Sequence, residues 1–251
     1  MSKRRWYIVH RWLGLIVSLQ LLAWSVGGFM FSILDIDDVR GDLNRSIKSP
    51  PGINTDRLIL TVADALARAK AEGVTPERVT RAVVRTGPSK QTVFELFGAD
   101  NEPIVAVDGT TAAVTKRISE EEAKRAALSD FAGEARVASI ALLTDKPPQE
   151  YRSSRMPIYQ IVLDHPKQPH IYVCPVTSEV LKRRNKLWRT FDFFWMLHIM
   201  DYRNRESFNH WLLTTMSALA ILTSASGLVL WWWRLPRLQS RRERRAASLP
   251  R

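Results

Sequence analysis

Histidine is the residue type in this sequence whose chemistry and placement point most directly to a function. The 251-residue chain has five histidines, His10, His165, His170, His198 and His210. Three of them, at 10, 198 and 210, lie at or near the ends of two long apolar runs. A neutral imidazole in such a place serves either as an anchor at a membrane surface or as an axial ligand to haem iron or another metal. His165 and His170 lie in LDHPKQPHIY, where we expect an exposed loop and keep a loose metal site as the alternative.

Two uncharged apolar segments must position the three outer histidines. Residues 12–34 contain no Asp, Glu, Lys or Arg, and neither do residues 211–233. At about 1.5 Å per residue, a helix over either run would span roughly 34 Å, enough to cross a hydrocarbon core of about 30 Å. We therefore expect transmembrane helices at 12–34 and 209–233, with membrane lipid as a partner. The first run is too long for the apolar part of a signal peptide, so we expect it to stay as an anchor.

The basic residues indicate which way these helices run. The net charge of the chain is +12, of which residues 1–11 contribute +4 and residues 234–251 contribute +6. An excess of Lys and Arg beside membrane helices marks the cytoplasmic side. We expect a cytoplasmic basic N-terminus at 1–11, a cytoplasmic basic tail at 234–251 and an extracytoplasmic segment at 35–208. The charge is therefore a topology signal rather than a sign of nucleic-acid binding, and we expect no nucleic-acid partner.

This topology limits how the histidines can share a metal. His10 and His210 are expected at opposite membrane faces, roughly 30 Å apart. His198 and His210 share a face, but a continuous helix would separate them by about 18 Å, so one iron could bind both only if DYRNRES breaks the helix. One chain thus offers half-sites at His10, His198 and His210. A bis-histidine haem would need a second chain, either a homodimer mate or a partner membrane subunit. Gln20 is expected to bond across to the second membrane helix.

The segment 35–208 has the pattern of a duplicated α+β domain. Helical and strand-like stretches alternate in it, and a shift of 66 residues superimposes Pro103 on Pro169, Val107 on Val173 and Val114 on Val180. We expect two units, at about 55–118 and 119–190, each a helix followed by antiparallel strands. The helix at 119–131 is expected to continue, after Gly133, through ARVASIALLTD. For the acidic stretch DIDDVRGD we expect a solvated linker and keep cation binding as the alternative.

Four strings resemble a known family. VDGTTAAVTKR and VCPVTSEVLKRR look like the ends of PepSY modules, while HRWLGL and FDFFWMLHIMDY resemble PepSY-associated transmembrane proteins of bacterial inner membranes. The resemblance implies an inner-membrane protein with both termini in the cytoplasm and a periplasmic tandem PepSY-like domain. Some larger relatives in that family are haem-carrying ferric-siderophore reductases, and they have more membrane helices than the two expected here.

The resemblance and the histidines together give the leading functional hypothesis. We expect a membrane component of electron transfer, linked to the reduction of iron, siderophore or another metal, with haem b held by His10 and His198 and with His210 as a spare ligand. The alternative is a membrane-anchored periplasmic module that binds or regulates a protein partner. The sequence contains no P-loop, dinucleotide fingerprint, Ser/His/Asp set or zinc signature, so it assigns no catalytic residue and does not decide whether the chain is an enzyme.

Overall fold

The fold is taken from a computed structural model that describes residues 3–46, 52–53, 59–87 and 91–234. The chain divides into two compact units. The helical unit consists of Met1–Ile33 and Phe191–Arg251, and the sheet unit consists of Leu34–Thr190. The start of the first expected repeat at 55 lies outside the described residues, as does the expected basic tail apart from Arg234.

The described residues of the helical unit form three helices. They are α1 at Lys3–Ile33, the part of α5 (Lys186–Ile199) that begins at Phe191, and α6 at Trp211–Trp232. Among the described residues, two helices are long and apolar enough to cross a membrane, over Arg5–Ile33 and Trp211–Trp232. The expected segment 12–34 therefore begins inside a longer helix, because the basic stretch before it is helical too.

The boundary between the units differs from the one expected at residue 208. Phe191 and the residues after it group with the apolar helices rather than with the sheets. The string FDFFWMLHI is mostly apolar, and it forms the last part of α5, which packs along α1. The helical unit thus includes part of a third helix, α5, which the distribution of charged residues did not predict.

The sheet unit repeats one arrangement, a helix followed by a four-stranded antiparallel meander. The first copy is α3 (Val62–Ala71) with β1 (Arg81–Thr86), β2 (Thr92–Phe97), β3 (Pro103–Asp108) and β4 (Val114–Thr115). The second copy is α4 (Glu120–Asp130) with β5 (Arg136–Leu143), β6 (Ile158–Asp164), β7 (His170–Val173) and β8 (Val180–Arg184).

The helices of the two copies, α3 and α4, start and pack in the same way. Thr61 begins α3 and Ser119 begins α4, and each forms a capping box with the acidic residue three positions later. Small residues then face the sheets. In the first copy Ala65 and Ala69 pack on large residues of β2 and β3, and in the second copy α4 presents its alanines in the same manner. Alanine allows a helix to lie close to a sheet, so the two copies share one packing scheme.

The shift of 66 residues holds for only part of the repeat. It relates β3 to β7 and β4 to β8, whereas Ala65 and Ala69 correspond to Ala123 and Ala127, a shift of 58. The register changes as well, since Val107 pairs with Phe94 but Val173 pairs with Tyr159. The shift changes because 14 residues, 144–157, join β5 to β6, whereas five residues, 87–91, join β1 to β2.

Two local expectations were wrong. ARVASIALLTD forms strand β5 instead of continuing the helix, since α4 ends at Asp130 and the strand pairs with β6 along Arg136–Leu143. DIDDVRGD is not a solvated linker throughout, because Ile36–Arg40 forms the short helix α2. The side chain of Asp35 caps that helix, Gly41 ends it at a φ of 80°, and Val39 is buried.

A polar contact joins the two copies of the repeat. The turn after β7 places Cys174 and Val176 against Val93 and Ala106 of the first sheet. Beside this apolar contact, Arg85 pairs with the carboxylate of buried Glu95 and also donates to the carbonyl of Thr177. Burial outweighs the attraction of Arg85 and raises the pKa of Glu95 to about 7.

Glu95 should therefore make stability depend on pH. The folded protein holds the Glu95 proton up to about pH 7, whereas an unfolded glutamate releases it near pH 4.3. The free energy of unfolding should fall by up to roughly 4 kcal/mol as the pH rises through this window, and level off above it. Urea unfolding of the full chain in detergent micelles, followed by far-ultraviolet circular dichroism from pH 4 to 8, measures the slope.

Glu95→Gln should flatten this slope because glutamine does not titrate. Glu77→Gln, at an exposed position, is the matched control and should leave the slope as it is in the wild type. An unchanged slope in Glu95→Gln would show that this carboxyl is not the source of the pH dependence.

Candidate functional site

The three outer histidines all belong to the helical unit. His10 is the eighth residue of α1, shortly after the basic start of that helix. His198 is the penultimate residue of α5, and His210 is the residue before α6. His10 and His198 project between helices, so the question for each ring is which of its two nitrogens remains available.

Small residues allow α1 and α6 to approach closely around His10. A Cβ atom added at Gly227 would lie 3.5 Å from Cε1 of His10, and one added at Gly14 would lie 3.8 Å from Cγ2 of Thr223. These contacts show that the two helices run antiparallel. Glycine at such positions lets membrane helices pack backbone against side chain, and here Gly227 makes room for the imidazole ring.

The His10 ring has one nitrogen engaged. Its Nδ1 lies 2.6 Å from Oγ of Ser226 on α6. No hydrogen bond from the described residues reaches its Nε2. His10 is therefore held by the second membrane helix while its other nitrogen remains available.

The end of α5 is held against α1 by two hydrogen bonds. Trp24 donates from Nε1 to the carbonyl of His198 at 2.8 Å, and Gln20 donates from Nε2 to the carbonyl of Leu197 at 3.3 Å. The last carbonyls of a helix lack partners within it, so donors from a neighbour satisfy them. Met200 follows at a φ of 57° and turns the chain away from the helix. Gln20 thus bonds to α5, not to the second membrane helix as its position in the first span suggested.

The ring of His198 packs against α1, next to a glycine and two aromatic side chains of that helix. Its Nδ1 would be 3.7 Å from a Cβ at Gly27, and its ring centroid lies 5.6 Å from that of Phe31 and 6.3 Å from that of Trp24. This Nδ1 is buried and has no hydrogen-bond partner among the described residues. A buried polar atom left in this way costs about 1–3 kcal/mol, so His198 has a nitrogen for which a partner is missing.

His210 differs from the other two because both of its nitrogens are used. Its Nδ1 accepts from the backbone N–H of Leu213 at 3.3 Å, which caps α6, and its Nε2 donates to the carbonyl of Ile199 at 2.9 Å. This arrangement fixes the ring as a neutral tautomer with no lone pair left for a metal. In this structure His210 is placed as a helix cap and not as a spare ligand.

The break required between His198 and His210 does occur. Helix α5 ends at Ile199, and the chain turns back so that His210 contacts that residue. Asp201 organises the turn by accepting from the backbone N–H groups of Arg203, Asn204, Glu206 and Ser207. Burial opposes ionisation of Asp201, but these hydrogen bonds outweigh it and lower its pKa to about 2.

The two loop histidines are not combined into a metal site. His165 begins a turn and accepts from the backbone N–H of Lys167, whereas His170 is the first residue of β7 and pairs with Glu150. Glu150 also accepts from Tyr172 and Arg189; these contacts overcome its burial and lower its pKa to about 2. Among the described residues no group of three or more His, Cys, Asp or Glu side chains could hold a metal ion.

A small cavity lies in the sheet unit where the two copies of the repeat meet. Its volume is about 80 Å³. The cavity is bordered by polar side chains from both copies, namely Gln91, Asp108, Thr115, Glu122, Thr177 and Ser178. Gln91 contributes a buried Oε1 that has no hydrogen-bond partner among the described residues. The cavity thus offers an unused acceptor and two carboxylates, which suit a ligand rich in hydrogen-bond donors.

Comparison with known proteins gives one match. The family described as PepSY-associated TM region matches residues 7–251. The chain belongs to this family. With two helices able to cross a bilayer, this PepSY-associated chain is a membrane protein. No curated protein and no solved structure shows a significant match to it.

Sequence reasoning missed the partners that decide how this PepSY-associated protein uses its histidines. Ser226 is one of several small residues in the second span, and nothing in the spacing marks it as the one facing His10. The position of His210 weakly indicated its capping role, since a residue directly before an apolar helical run often caps that helix. The contact of Trp24 with His198 depends on the path of α5, which was not expected to pack on α1.

The His210 cap should be measurable as stability. His210→Ala removes an acceptor from the first turn of α6 and should lower the free energy of unfolding by about 1 kcal/mol. His210→Asn, which retains a capping oxygen, should recover most of the loss. Thermal unfolding of the full chain in micelles gives the comparison, and an alanine variant as stable as the wild type would contradict the assignment.

Proposed function

We propose that this PepSY-associated protein is a membrane component of electron transfer that binds haem b through His10 and His198. The observation that carries the proposal is the buried Nδ1 of His198, which has no partner among the described residues although it lies between apolar helices. Such a nitrogen is stabilised by a ligand that accepts its lone pair. Haem iron is a common acceptor for a neutral imidazole in a membrane protein.

The residues present fit such a group in type, because imidazole nitrogens are ligands of haem iron. His10 retains Nε2 and His198 retains a buried nitrogen, whereas His210 is excluded because both its nitrogens are bonded. Bound haem would supply the one-electron chemistry. The chain itself orients the two rings through Ser226 on α6 and through the helix end that Trp24 holds.

The two rings serve separate sites. His10 and Gly27, the residue beside His198, are about 25 Å apart along α1. Neither place offers a second histidine with a free nitrogen among the described residues. Each site therefore takes its second ligand from another chain, and we propose a homodimer or a complex with a partner membrane subunit. Two sites near opposite ends of one helix suit electron transfer across the bilayer.

The direction of transfer follows from the distribution of charge. The basic segments 1–11 and 234–251 flank the membrane helices on their outer sides, which supports both termini in the cytoplasm of a bacterial cell and the sheet unit in the periplasm. We propose that electrons move outward through the inner membrane, toward ferric iron, a ferric siderophore or another oxidised metal in the periplasm.

A difference spectrum tests the electron-transfer proposal. The full chain purified from haem-replete cells should show the α band of a reduced b-type haem, and the band should weaken strongly in His10→Ala and in His198→Ala. Because His210 and His165 have other roles, His210→Asn and His165→Ala should retain it. A wild-type protein without haem absorbance, or loss of the band in the two control variants alone, would overturn the proposal.

The cavity between the copies of the repeat favours a second candidate function. A site with an unused acceptor, at the meeting of two structural units, is typical of small-ligand binding. In this case the sheet unit would be a periplasmic binding or regulatory module and the helices would anchor it. The ligand would be a small molecule rich in hydrogen-bond donors, which the carboxylates of Asp108 and Glu122 would attract.

Native mass spectrometry of the intact chain tests the second candidate. The protein purified gently from cells should carry an additional small mass, and Gln91→Leu should lose it because the buried acceptor is gone. Gln149→Leu, at an exposed position, should keep it. Equal masses for wild type and Gln91→Leu would argue against binding in this cavity.

A further inference from the structure

We propose that Ser226 is a positioning residue that fixes the tautomer of His10 and so presents its Nε2 as an electron-pair donor. The tautomer assignment stands on the geometry of α1 and α6 alone. Its use, the presentation of Nε2 to iron, rests on the proposed function. Ser226 would not touch the iron but would act through the ring of His10.

The argument begins with the single proton of the Ser226 hydroxyl. Its Oγ lies 2.8 Å from the carbonyl oxygen of Thr223, one helical turn earlier, and 2.6 Å from Nδ1 of His10. A carbonyl oxygen can only accept, so the hydroxyl proton must be the one shared with Thr223. This bond from a serine to a preceding carbonyl is common within helices, particularly where water is scarce.

The second contact then requires a proton from the histidine. If Nδ1 of His10 were unprotonated, it would need the same serine proton, and one of the two short contacts would join two acceptors. Both contacts are hydrogen bonds only when Nδ1–H donates to Ser226 and Ser226 donates to Thr223. For a neutral ring this places the proton on Nδ1 and leaves the lone pair on Nε2.

The packing of α1 on α6 keeps these two hydrogen bonds in place; together, from His10 to Ser226 and from Ser226 to Thr223, they form the relay. Gly227, next to Ser226, leaves room for the ring, since a Cβ there would lie 3.5 Å from Cε1 and 3.9 Å from Nε2 of His10. Thr223 is itself packed near Gly14 on α1. The hydrogen bond to Ser226 and the contact with α6 at Gly227 together hold the ring of His10. They oppose a flip of the ring that would exchange Nδ1 and Nε2.

The relay has a chemical consequence for a ligand. A histidine that donates its other ring N–H to an acceptor is oriented and becomes a more basic ligand. Loss of such a partner typically lowers metal affinity by about 10- to 100-fold. Without Ser226, His10 would be free to adopt the opposite tautomer, in which the proton occupies the nitrogen proposed for iron.

Nitrogen NMR of the haem-free full chain tests the tautomer directly. The protein is labelled with ¹⁵N at histidine, placed in lipid nanodiscs and recorded at about pH 9, where a free imidazole is neutral; His10→Asn assigns the signals. We expect a protonated Nδ1 and an unprotonated Nε2 for His10 in the wild type. Ser226→Ala should shift the proton toward Nε2, and Ser226→Thr should restore the wild-type pattern.

Ser224→Ala is the matched control, since Ser224 lies on the exposed side of the same helix, and it should leave the His10 signals unchanged. A wild-type His10 protonated at Nε2, or a Ser226→Ala variant with the wild-type pattern, would overturn the inference. A variant that fails to fold is recognised by its circular dichroism, and Ser226→Thr then decides the question through the same signals.

A haem titration separates this inference from the proposed function. Ser226→Ala should bind haem about 10- to 100-fold more weakly than the wild type at the His10 site and have a higher midpoint potential, whereas Ser226→Thr should resemble the wild type. A wild type that shows the expected tautomer but binds no haem contradicts the proposed function and supports the relay. Haem binding that is equal in wild type and Ser226→Ala contradicts the role of Ser226 toward iron.

Discussion

The close packing of α1 against its neighbours is the constraint on which the arrangement of the histidines depends. Glycines at 14, 27 and 227 remove the side chains that would keep the helices apart, and the imidazole rings of His10 and His198 and the methyl group of Thr223 lie in the space that they leave. In a lipid environment no water compensates a polar group left between helices. Each imidazole there must therefore find a partner in the protein, or keep a nitrogen for something that the protein binds.

The three histidines show three outcomes of that constraint. His210 satisfies both nitrogens within the chain and is a structural cap. His10 uses one nitrogen to contact the second membrane helix, while His198 binds α1 through its backbone carbonyl and has a buried ring nitrogen without a partner among the described residues. Similar positions at the ends of apolar runs thus do not imply similar roles, because the role depends on which donors and acceptors the neighbouring helix supplies.

Local signals in the sequence predicted some elements and failed for others. Uncharged runs indicated both apolar helices, and Ser119 with its acidic first turn indicated the start of α4, because these depend on residues close in the chain. ARVASIALLTD was misjudged since its helix-forming residues are overruled by pairing with β6. Gln20, Ser226 and Trp24 have partners far away in sequence. Their contacts follow from how helices dock, which spacing within one segment does not reveal.

The unequal connections of the repeat bear on how the sheet unit reaches its fold. Neighbouring copies of one motif risk exchanging strands during folding, since each could accept the other's partner. Here the long segment between β5 and β6 places Tyr151 in the core and Glu150 against His170, and the connection between β1 and β2 is nine residues shorter. A hairpin from the first copy inserted into the second sheet would leave those positions empty. The asymmetry thus disfavours misassembly and keeps each strand with its own copy.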